Sequence, residues 1–439
     1  MRISIIGNGK LGLTMAAVYA EAGHNVLCVD SNKELIDNLS KGICAIKETG
    51  LNELFQKHKS MMEFSSDYSK VKDTSISFII VPTPSKKDGS FSNSYVLSAI
   101  KGICESIKDS KEYHLIVVVS TVMPGSCADV FIPEIKNYGN MFGEHVGLCY
   151  NPEFIALGEV IKGMKFPDTL LVGESDTKAG DILESFHRMT LNPMPPIHRM
   201  SLWNAEVSKL SLNCYITMKI SYANMIAELC EQIPTGNAYD VLGMVGEDKR
   251  VGPKYLKPGL GFSGVCFPRD NRAFQFMASR NNAMCMLSSA TQAINDRHND
   301  RYAQKAKQII GSGDHKIAIL GISYKPYTGL TEESAALKII KELTSSGECR
   351  CDIRVYDPMA KYEGVGKQVE IVEEALKGAD LAIICTPWPE FRNISASTFK
   401  TLMAKPNVLD CWGICDIMKM KGIELYTLGV NNGNMGQSR

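Results

Sequence analysis

One stretch near the start of the chain constrains the fold more than any other. An apolar run, Arg2–Ile6, is followed by three glycines in the spacing GxGxxG, a helical pattern to Glu21, and a second apolar run, Asn25–Val29, which ends at Asp30. This order predicts a strand, a phosphate-binding turn, a helix and a parallel strand. Such a unit begins the dinucleotide-binding α/β domains.

The glycine turn predicts how a dinucleotide is held. Gly7 makes the tight turn, Gly9 lets the backbone approach a pyrophosphate, and Gly12 allows close helix–strand packing; the helix N-terminus attracts the phosphate charge. A carboxylate at Asp30 accepts hydrogen bonds from the ribose of NAD and repels the 2′-phosphate of NADP, although Lys33 offsets part of that repulsion. We therefore predict NAD as the cofactor. The predicted contacts in this region are Gly7, Asn8, Gly9, Lys10, Leu11, Gly12, Asp30 and Lys33.

Three further apolar runs, Ser75–Val81, His114–Val119 and Val146–Tyr150, end in polar residues or proline. In a parallel sheet the carboxyl ends of the strands border the ligand crevice, so we expect these ends to face the cofactor. Ordinary turn chemistry explains any one of them alone. The cofactor contacts predicted here are Val81, Pro82, Thr83, Ser120 and Thr121, and the third run leads to Glu153 and Phe154.

The middle of the chain has a different pattern. From Ser201 to about Glu231 there is no glycine or proline, and apolar residues recur at helical spacing, which predicts one long helix. A further helical block is predicted over 271–309, and strands alternate with helices again after it. We predict an α/β protein with two Rossmann-like, doubly wound domains, 1–198 and 301–439, joined by a central helical domain, 199–300.

Composition limits the class of protein. The chain has 439 residues, with 48 Lys+Arg and 48 Asp+Glu, so no charge excess indicates nucleic acid or an anionic membrane. No apolar run approaches the roughly 18 residues of a membrane span, and the N-terminal run is too short for a signal peptide. The 14 cysteines show neither disulfide spacing nor a paired CxxC zinc pattern, so we predict a cytoplasmic protein without a metal site.

A second stretch, Lys257–Asp270, holds three glycines and two prolines around Cys266. Glycine is too flexible and proline lacks the N–H donor for a regular helix or strand, so we predict a loop whose backbone approaches a ligand. A nearby cation, here Arg269, favours the thiolate form of a cysteine, which is the nucleophile. A small buried cysteine in a glycine-rich turn is the alternative interpretation.

Taken together, these motifs resemble the UDP-glucose/GDP-mannose 6-dehydrogenase family over nearly the whole chain. The family oxidises C6 of a nucleotide-bound hexose to a carboxylate and reduces two NAD+. Besides the glycine turn, the matching segments are Val81–Pro84, Ser120–Gly125, Asn151–Phe154, Ser208–Asn213, Gly261–Asp270 and Gly321–Pro326.

The resemblance implies a role for each matching residue. Cys266 would attack the C6 aldehyde, and the resulting thiohemiacetal would be oxidised to a thioester. Lys209 and Asn213 would stabilise the oxyanion. Asp270 would act as a base through water, and Thr121 and Glu153 would position the hydrolytic water. Arg269 is assigned to the cofactor, and the substrate contacts are Glu153, Phe154, Lys209, Asn213, Arg250, Tyr255, Lys257, Gly261, Phe262, Gly264, Tyr324 and Lys325.

The resemblance also implies a homodimer, because Arg250 would reach the sugar in the neighbouring subunit. Four positions depart from the family pattern. Leu157 replaces a frequent Glu or Arg, Ser263 a glycine, Glu332 an arginine near the cofactor, and Trp412 the arginine of an Asp-x-Arg sequence.

Alternatives to this function remain open. A β-hydroxyacid-type dehydrogenase also combines a Rossmann domain with a Lys/Asn pair, but it transfers one hydride and needs no cysteine nucleophile. A binding protein that has lost turnover is a third interpretation. Among substrates we favour UDP-glucose, with GDP-mannose next, because Val265 stands where the N-acetylhexosamine branch usually has a histidine.

Overall fold

The computed structural model of the protein describes residues 1–139, 142–155, 158–345 and 349–431. Leu157 lies outside the described residues. The chain divides into two compact units, Met1–Ser211 and Leu212–Arg439. The three-domain division after residues 198 and 300 stays a prediction.

The first unit is built on one sheet of eight strands. They are β1 (Arg2–Ile6), β2 (Asn25–Val29), β3 (Met62–Ser65), β4 (Ile76–Ile79), β5 (His114–Val118), β6 (Val146–Tyr150), β7 (Leu170–Glu174) and β8 (Ile197–Ser201). The strand order is β3-β2-β1-β4-β5-β6-β7-β8, and every pair is parallel except β6 and β7. The first six strands therefore have the 3-2-1-4-5-6 order of dinucleotide-binding sheets.

Both faces of this sheet are buried. Along β5, Leu115 and Val117 pack into one core, while Ile116 and Val118 pack into another on the opposite face. This alternation follows from the two-residue period of a strand. The helices of this unit are α1 (Lys10–Glu21), α2 (Lys33–Ser40), α3 (Leu51–His58), α4 (Ser94–Ile107), α5 (Ile132–Lys136), α6 (Val160–Lys165) and α7 (Thr177–Thr190), and Cys127–Phe131 forms a π-helical segment before α5.

Helix α8 (Leu202–Gln232) has 31 residues, so the predicted long helix is confirmed. Its length is on the order of 45 Å at 1.5 Å per residue. The boundary between the two compact units falls within α8. Among the described helices, none is both long and apolar enough to cross a membrane.

The second unit continues with three helices, α9 (Ala238–Glu247), α10 (Phe267–Arg280) and α11 (Met286–Ile310). A six-stranded sheet follows: β9 (Gly313–Leu320), β10 (Cys349–Tyr356), β11 (Lys367–Gln368), β12 (Leu381–Ile384), β13 (Asn407–Asp410) and β14 (Glu424–Thr427). All its pairs are parallel, in the order β11-β10-β9-β12-β13-β14, so the 3-2-1-4-5-6 order occurs a second time. The helices beside it are α12 (Ala335–Ser345), α13 (Val372–Leu376), α14 (Pro389–Arg392) and α15 (Ala396–Leu402).

The helical block predicted over 271–309 is confirmed, and it consists of two helices, because α10 ends at Arg280 and α11 begins at Met286. One local prediction was wrong. The residues 267–270, predicted to be loop, form the first turn of α10. Pro268 is compatible with this turn, since the first N–H groups of a helix have no intrahelical partner.

Candidate active site

The glycine turn between β1 and α1 has the shape predicted for a pyrophosphate site. Gly7 has φ +98°, and a Cβ there would lie 2.5 Å from the Ile80 carbonyl oxygen; a Cβ on Gly12 would lie 1.8 Å from the Gly7 oxygen. The fold itself therefore requires both glycines. At Gly9, by contrast, a Cβ would meet nothing within 4 Å, which leaves open space beside the backbone where a phosphate would approach.

The N-terminus of α1 is also suited to an anion. Its N-cap, Gly9, offers no side-chain hydrogen bond, and its first turn holds no acidic residue. The backbone N–H groups and the helix dipole are thus directed at the place where the cofactor phosphates would lie. The geometry fits NAD.

Asp30 directly follows β2, beside this turn, and is half-buried. Its carboxylate accepts the backbone N–H of Asn8 at 2.6 Å and that of Asn32 at 2.9 Å. Asn8 is buried and donates to the Val29 carbonyl at 2.9 Å. Asp30 therefore fixes the turn in addition to its predicted contact with the ribose. Lys33, at the start of α2, is exposed.

Lys10 and Leu11 have different environments within the first turn of α1. Leu11 packs against the core of the first unit. The Lys10 Nζ lies 3.8 Å from the carboxylate of Glu48, a side chain that is only 1% exposed. Glu48 also accepts the backbone N–H groups of Gly158 and Val160. Glu48 could not be predicted as a site residue, because nothing in a loop sequence marks a carboxylate as buried.

The ends of β4 and β5 are joined by side-chain hydrogen bonds. The Ser120 hydroxyl donates to the Val81 carbonyl at 2.7 Å and accepts the Val81 N–H at 2.9 Å. Thr83 is buried and donates to the Thr121 carbonyl at 2.7 Å, while Pro82 is exposed. The predicted cofactor contacts at these strand ends thus form one connected loop pair.

Lys209 on α8 lies against the segment that follows β6. It is only 6% exposed, so it is not the solvated surface charge that its sequence position alone favours. Its Nζ donates to the Glu153 carbonyl oxygen and lies 4.5 Å from the centroid of the Phe154 ring. The Glu153 carboxylate accepts the Ile155 N–H at 2.9 Å. Lys209, Glu153 and Phe154 are therefore brought together in the first unit.

Glu206, one turn before Lys209, is a second residue that was not predicted from the sequence. It is fully buried and accepts the N–H of Gly125 at 2.6 Å and that of Cys127 at 2.8 Å. Burial raises the pKa of its carboxyl to about 7, although the two N–H bonds oppose the shift. The available signal was its spacing of three residues from Lys209, which places both on neighbouring parts of one helix face.

In the second unit, Cys266 is the N-cap residue of α10 and is exposed. The partial positive charge of a helix N-terminus favours an anionic group at this position. The alternative interpretation, a buried structural cysteine, is therefore wrong. Val265, directly before it, is 37% exposed.

Asp270 lies in the first turn of α10 and is 1% exposed. Its carboxylate accepts the Asn213 side-chain amide at 2.6 Å, and the Nε of Arg269 lies 3.3 Å from its other oxygen. Asn213 is itself buried. The predicted catalytic residues Asn213 and Asp270 are thus a hydrogen-bonded pair within the second unit.

Polar side chains of α8 and α11 hold the glycine-rich loop before Cys266. The Asn224 side chain accepts the Gly259 N–H at 3.1 Å, and His298 bonds the Gly259 carbonyl at 2.8 Å. The Asn299 side chain accepts the Gly261 N–H at 3.2 Å, and Asn295 donates to the carbonyl of the next residue at 3.2 Å. The loop backbone is therefore fixed by three buried asparagine amides and one buried imidazole.

The glycines of this loop are required by close packing. A Cβ on Gly261 would lie 2.5 Å from the Asn295 amide oxygen, and one on Gly264, which has φ +84°, would lie 2.6 Å from the Tyr324 ring. The Gly264 N–H also donates to the Glu332 carbonyl at 2.9 Å. Phe262 is 4% exposed.

The remaining predicted substrate residues of the second unit offer charge or aromatic surface. Arg250 is 88% exposed along its side chain and pairs with Asp248 at 2.7 Å. Tyr255 has φ +64° and is 49% exposed. Lys257 is exposed and Lys325 is half-buried. Within the described part of the chain, no group of three His, Cys, Asp or Glu side chains is arranged to hold a metal ion.

Comparison with known proteins identifies the family of the chain through three matching domains. Residues 1–191 match the NAD-binding domain of the UDP-glucose/GDP-mannose dehydrogenase family, residues 203–297 its central domain and residues 318–417 its UDP-binding domain. The fold and site thus define an NAD-dependent nucleotide-sugar dehydrogenase. The chain belongs to the UDP-glucose/GDP-mannose dehydrogenase family.

Individual relatives are similar along most of their length. The chain is 31% identical to UDP-glucose 6-dehydrogenase AglM of Haloferax volcanii, covering 89% of this chain and 92% of the relative. Its identity to UDP-glucose 6-dehydrogenase TuaD of Bacillus subtilis is also 31%, over 96% and 91% of the two chains.

Solved structures confirm the fold class, two Rossmann-like domains with a central helical region. A UDP-glucose dehydrogenase from Pyrobaculum islandicum has a TM-score of 0.87 at 27% identity, over 98% of both chains. The UDP-N-acetyl-mannosamine dehydrogenase of Staphylococcus aureus has a TM-score of 0.82 at 26% identity, over 98% of this chain and 99% of that one. Similar structures therefore include enzymes named for different sugars.

Proposed function

We propose that this dehydrogenase oxidises C6 of a UDP-hexose to the carboxylate in two steps, and that UDP-glucose is its substrate. The observation that supports this most directly is Cys266, an exposed thiol at the N-terminus of α10 and four residues before the buried Asp270. A one-step alcohol dehydrogenase has no use for such a nucleophile. The names of the relatives above favour UDP-glucose.

The proposed reaction of the C6 aldehyde begins at the Cys266 thiol. The C6 aldehyde is electrophilic, and the Cys266 sulfur adds to it to give a thiohemiacetal whose oxygen carries developing negative charge. The Asn213 amide and the Lys209 ammonium supply hydrogen bonds to that oxygen. The bound NAD+ supplies the hydride acceptor. Loss of hydride from the thiohemiacetal leaves a thioester on Cys266.

Water must then cleave the thioester. We assign its orientation to Thr121 and the Glu153 carboxylate, and its deprotonation to Asp270. The Asn213 amide donates to Asp270 at 2.6 Å and fixes the position of that carboxylate. Cleavage releases the uronate and returns the thiol.

We assign recognition of the nucleotide sugar chiefly to the glycine-rich loop and the residues around it. Lys257 and Lys325 offer cations for a diphosphate, while Phe262 and Tyr324 form apolar surface beside the loop glycines. The proposed substrate contacts of this unit are Arg250, Tyr255, Lys257, Gly261, Phe262, Gly264, Tyr324 and Lys325. In the first unit the proposed contacts are Glu153, Phe154 and Lys209, and Arg269 is assigned to the cofactor.

A substrate panel tests this proposal. The wild-type protein is incubated with NAD+ and, separately, UDP-glucose, GDP-mannose and UDP-N-acetylmannosamine, and NADH is counted per sugar consumed. We expect two NADH per UDP-glucose and the highest kcat/KM for that sugar. One NADH per sugar would favour the β-hydroxyacid type of reaction, and absence of turnover with every sugar would favour a binding protein.

We also propose that the protein is a homodimer through α8. Large apolar side chains recur on α8 at seven-residue spacing, Tyr215, Tyr222 and Leu229, and they are 41–56% exposed. Met225 adds to the same stripe at 44% exposure. A stripe with this period fits a second helix, and the exposed Arg250 supplies a side chain that can extend to a partner subunit.

Size-exclusion chromatography with light scattering tests the dimer. Tyr222→Glu places a charge in the centre of the stripe and is expected to give a monomer, whereas Glu112→Gln, at an exposed position of the first unit, is expected to leave the dimer intact. A wild-type protein that is monomeric at micromolar concentration would overturn the proposal.

We also propose a cytoplasmic location. Buried free thiols such as Cys28 and Cys104 support it, because thiols stay reduced in the cytoplasm.

A further inference from the structure

Glu206 is a buried carboxylate for which the proposed reaction has no role. It lies on α8, is 0% exposed, and uses its two oxygens for two different backbone donors, Gly125 N–H at 2.6 Å and Cys127 N–H at 2.8 Å. Among the described residues, no Lys, Arg or His forms an ion pair with it. Burying a carboxylate without a cationic partner destabilises the folded protein. The presence of Glu206 at this position therefore needs a functional explanation.

The two donors lie at the end of a loop that the proposed reaction uses. Ser120–Gly125 includes Thr121, which we assign to the hydrolytic water. Gly125 has φ +91°, and a Cβ there would lie 2.5 Å from the Trp203 ring. Helix α8 therefore contacts the end of the loop at two points, through the Trp203 ring and through the Glu206 carboxylate.

The same helix holds the other part of the hydrolytic apparatus. Lys209 follows Glu206 by three residues, and its ammonium donates to the Glu153 carbonyl. Glu206 thus fixes the Thr121 loop to the turn of α8 that also fixes the Glu153 segment. The segments that carry Thr121 and Glu153, the two residues assigned to the water, are therefore both attached to α8.

We propose that Glu206 is a positioning residue, which holds the Thr121 loop on α8 so that Thr121 stays in place to orient the hydrolytic water during thioester hydrolysis. This inference rests on the proposed function. It assigns Glu206 no contact with the substrate or the cofactor.

The ionised form of Glu206 is the one that can hold the loop. Two carboxylate oxygens accept two N–H donors, whereas in a protonated carboxyl one oxygen carries a hydrogen that is itself a donor, and this oxygen is a weaker acceptor. The titratable groups facing Glu206 are Cys127 and Asp129 of the π-helical segment, with Lys209 on its own helix. Burial keeps Cys127 a neutral thiol by raising its pKa well above the usual range, and the exposed Asp129 raises the pKa of Glu206 further. The loop should therefore loosen as the pH falls through about 7.

Hydrogen exchange tests the positioning role without any substrate. Protection of the backbone amides from exchange is measured for peptides covering 120–131 at pH 8 and at pH 6, after correction for intrinsic exchange. The proteins compared are the wild type, Glu206→Gln and the control Glu112→Gln, which changes an exposed carboxylate. We expect protection of this segment to fall about tenfold in the wild type and the control, because ionisation of a group with a pKa near 7 falls by about that factor. Protection in Glu206→Gln should be low and independent of pH. A wild-type segment whose protection does not change with pH would overturn the proposal.

The catalytic arm uses the hydrolysis step alone. The rate at which the thioester formed in a single turnover is hydrolysed is measured as a function of pH. We expect this rate to fall below about pH 7 in the wild type and to be low at every pH in Glu206→Gln. The rate of the first hydride transfer should be the same in both proteins. Equal hydrolysis in wild type and Glu206→Gln would overturn the positioning role. If the wild type forms no thioester, the proposed function fails instead, while the exchange experiment still decides whether Glu206 fixes the loop.

Discussion

Removing the Asn213 amide should destabilise the second unit by a measurable and attributable amount. Asp270 is 1% exposed and receives the Asn213 amide at 2.6 Å, with the Arg269 Nε at 3.3 Å as its other described side-chain donor. In Asn213→Ala the buried carboxylate loses the shorter of these two bonds. A hydrogen bond to a charged group is worth about 1.5–3 kcal/mol, which for a unit of this size corresponds to a decrease in Tm of about 3–12 °C.

A double-mutant cycle separates this bond from general loss of packing. Tm and urea unfolding are measured for Asn213→Ala, Asp270→Asn and the double variant. The control is Asn281→Ala, which removes an exposed amide at the C-terminal end of α10. We expect a coupling energy of at least about 1.5 kcal/mol between Asn213 and Asp270 and a control effect below about 0.5 kcal/mol. The kcat of Asn213→Ala should fall about 10²–10³-fold, because we propose that the amide also stabilises the oxyanion. A coupling energy below about 0.5 kcal/mol would show that the pair is not an energetic unit.

Two further predictions concern the first unit. Asp30→Ala should weaken the binding of NAD+ and narrow the difference in kcat/KM between NAD+ and NADP+, because the carboxylate that repels a 2′-phosphate is removed. Equal use of the two cofactors by the wild type would contradict the assignment of Asp30 to the ribose. His187 is buried against the Asn151 side chain at 2.8 Å, and burial lowers its pKa to about 4 from the usual 6.5. Its neutral form is thus favoured by folding, and this stabilisation is present above pH 6.5 and is lost as the pH falls toward 4. The loss should reach about 3 kcal/mol. Urea unfolding at several pH values should show a smaller acid dependence in His187→Gln than in the wild type, and equal acid dependence in the two would contradict this origin.

The sequence predicted the fold class, the family and the cofactor because each depends on local rules. Gly7 and Gly12 are required by hard steric contacts, so their spacing identifies the turn without knowledge of the rest of the chain. The long helix was recognised because nothing in 201–231 interrupts its period. The choice of UDP-glucose over other sugars stays a prediction, since no local rule in the sequence decides it.

Other features depend on distant partners and could not be predicted. Strands β7 and β8 extend the first sheet past an antiparallel step, and a short apolar run such as Leu170–Glu174 gives no sign of its direction or neighbour. The burial of Glu48 and Glu206 depends on backbone N–H groups far along the chain, Gly158 and Gly125 among them. Their isolated sequence positions indicate ordinary surface charges.

The boundary of the catalytic loop was mispredicted for a recognisable reason. The proline of Phe267–Asp270 was interpreted as excluding a helix, although a first turn accommodates proline well. The corrected boundary places Cys266 at the N-cap and Asp270 one turn inside α10. The geometry thereby adds a helix dipole to the environment of the proposed nucleophile.

The most direct test of the proposed reaction is the intact mass of the Glu153→Gln variant during turnover with UDP-glucose and NAD+. If Cys266 forms the thioester and Glu153 helps to hydrolyse it, the variant should accumulate a protein species heavier by one UDP-glucuronyl group, and the adduct should be absent in Glu153→Gln/Cys266→Ser. Formation of the uronate without any adduct would contradict the hydrolytic role of Glu153, and full turnover by Cys266→Ser would contradict a covalent mechanism through Cys266.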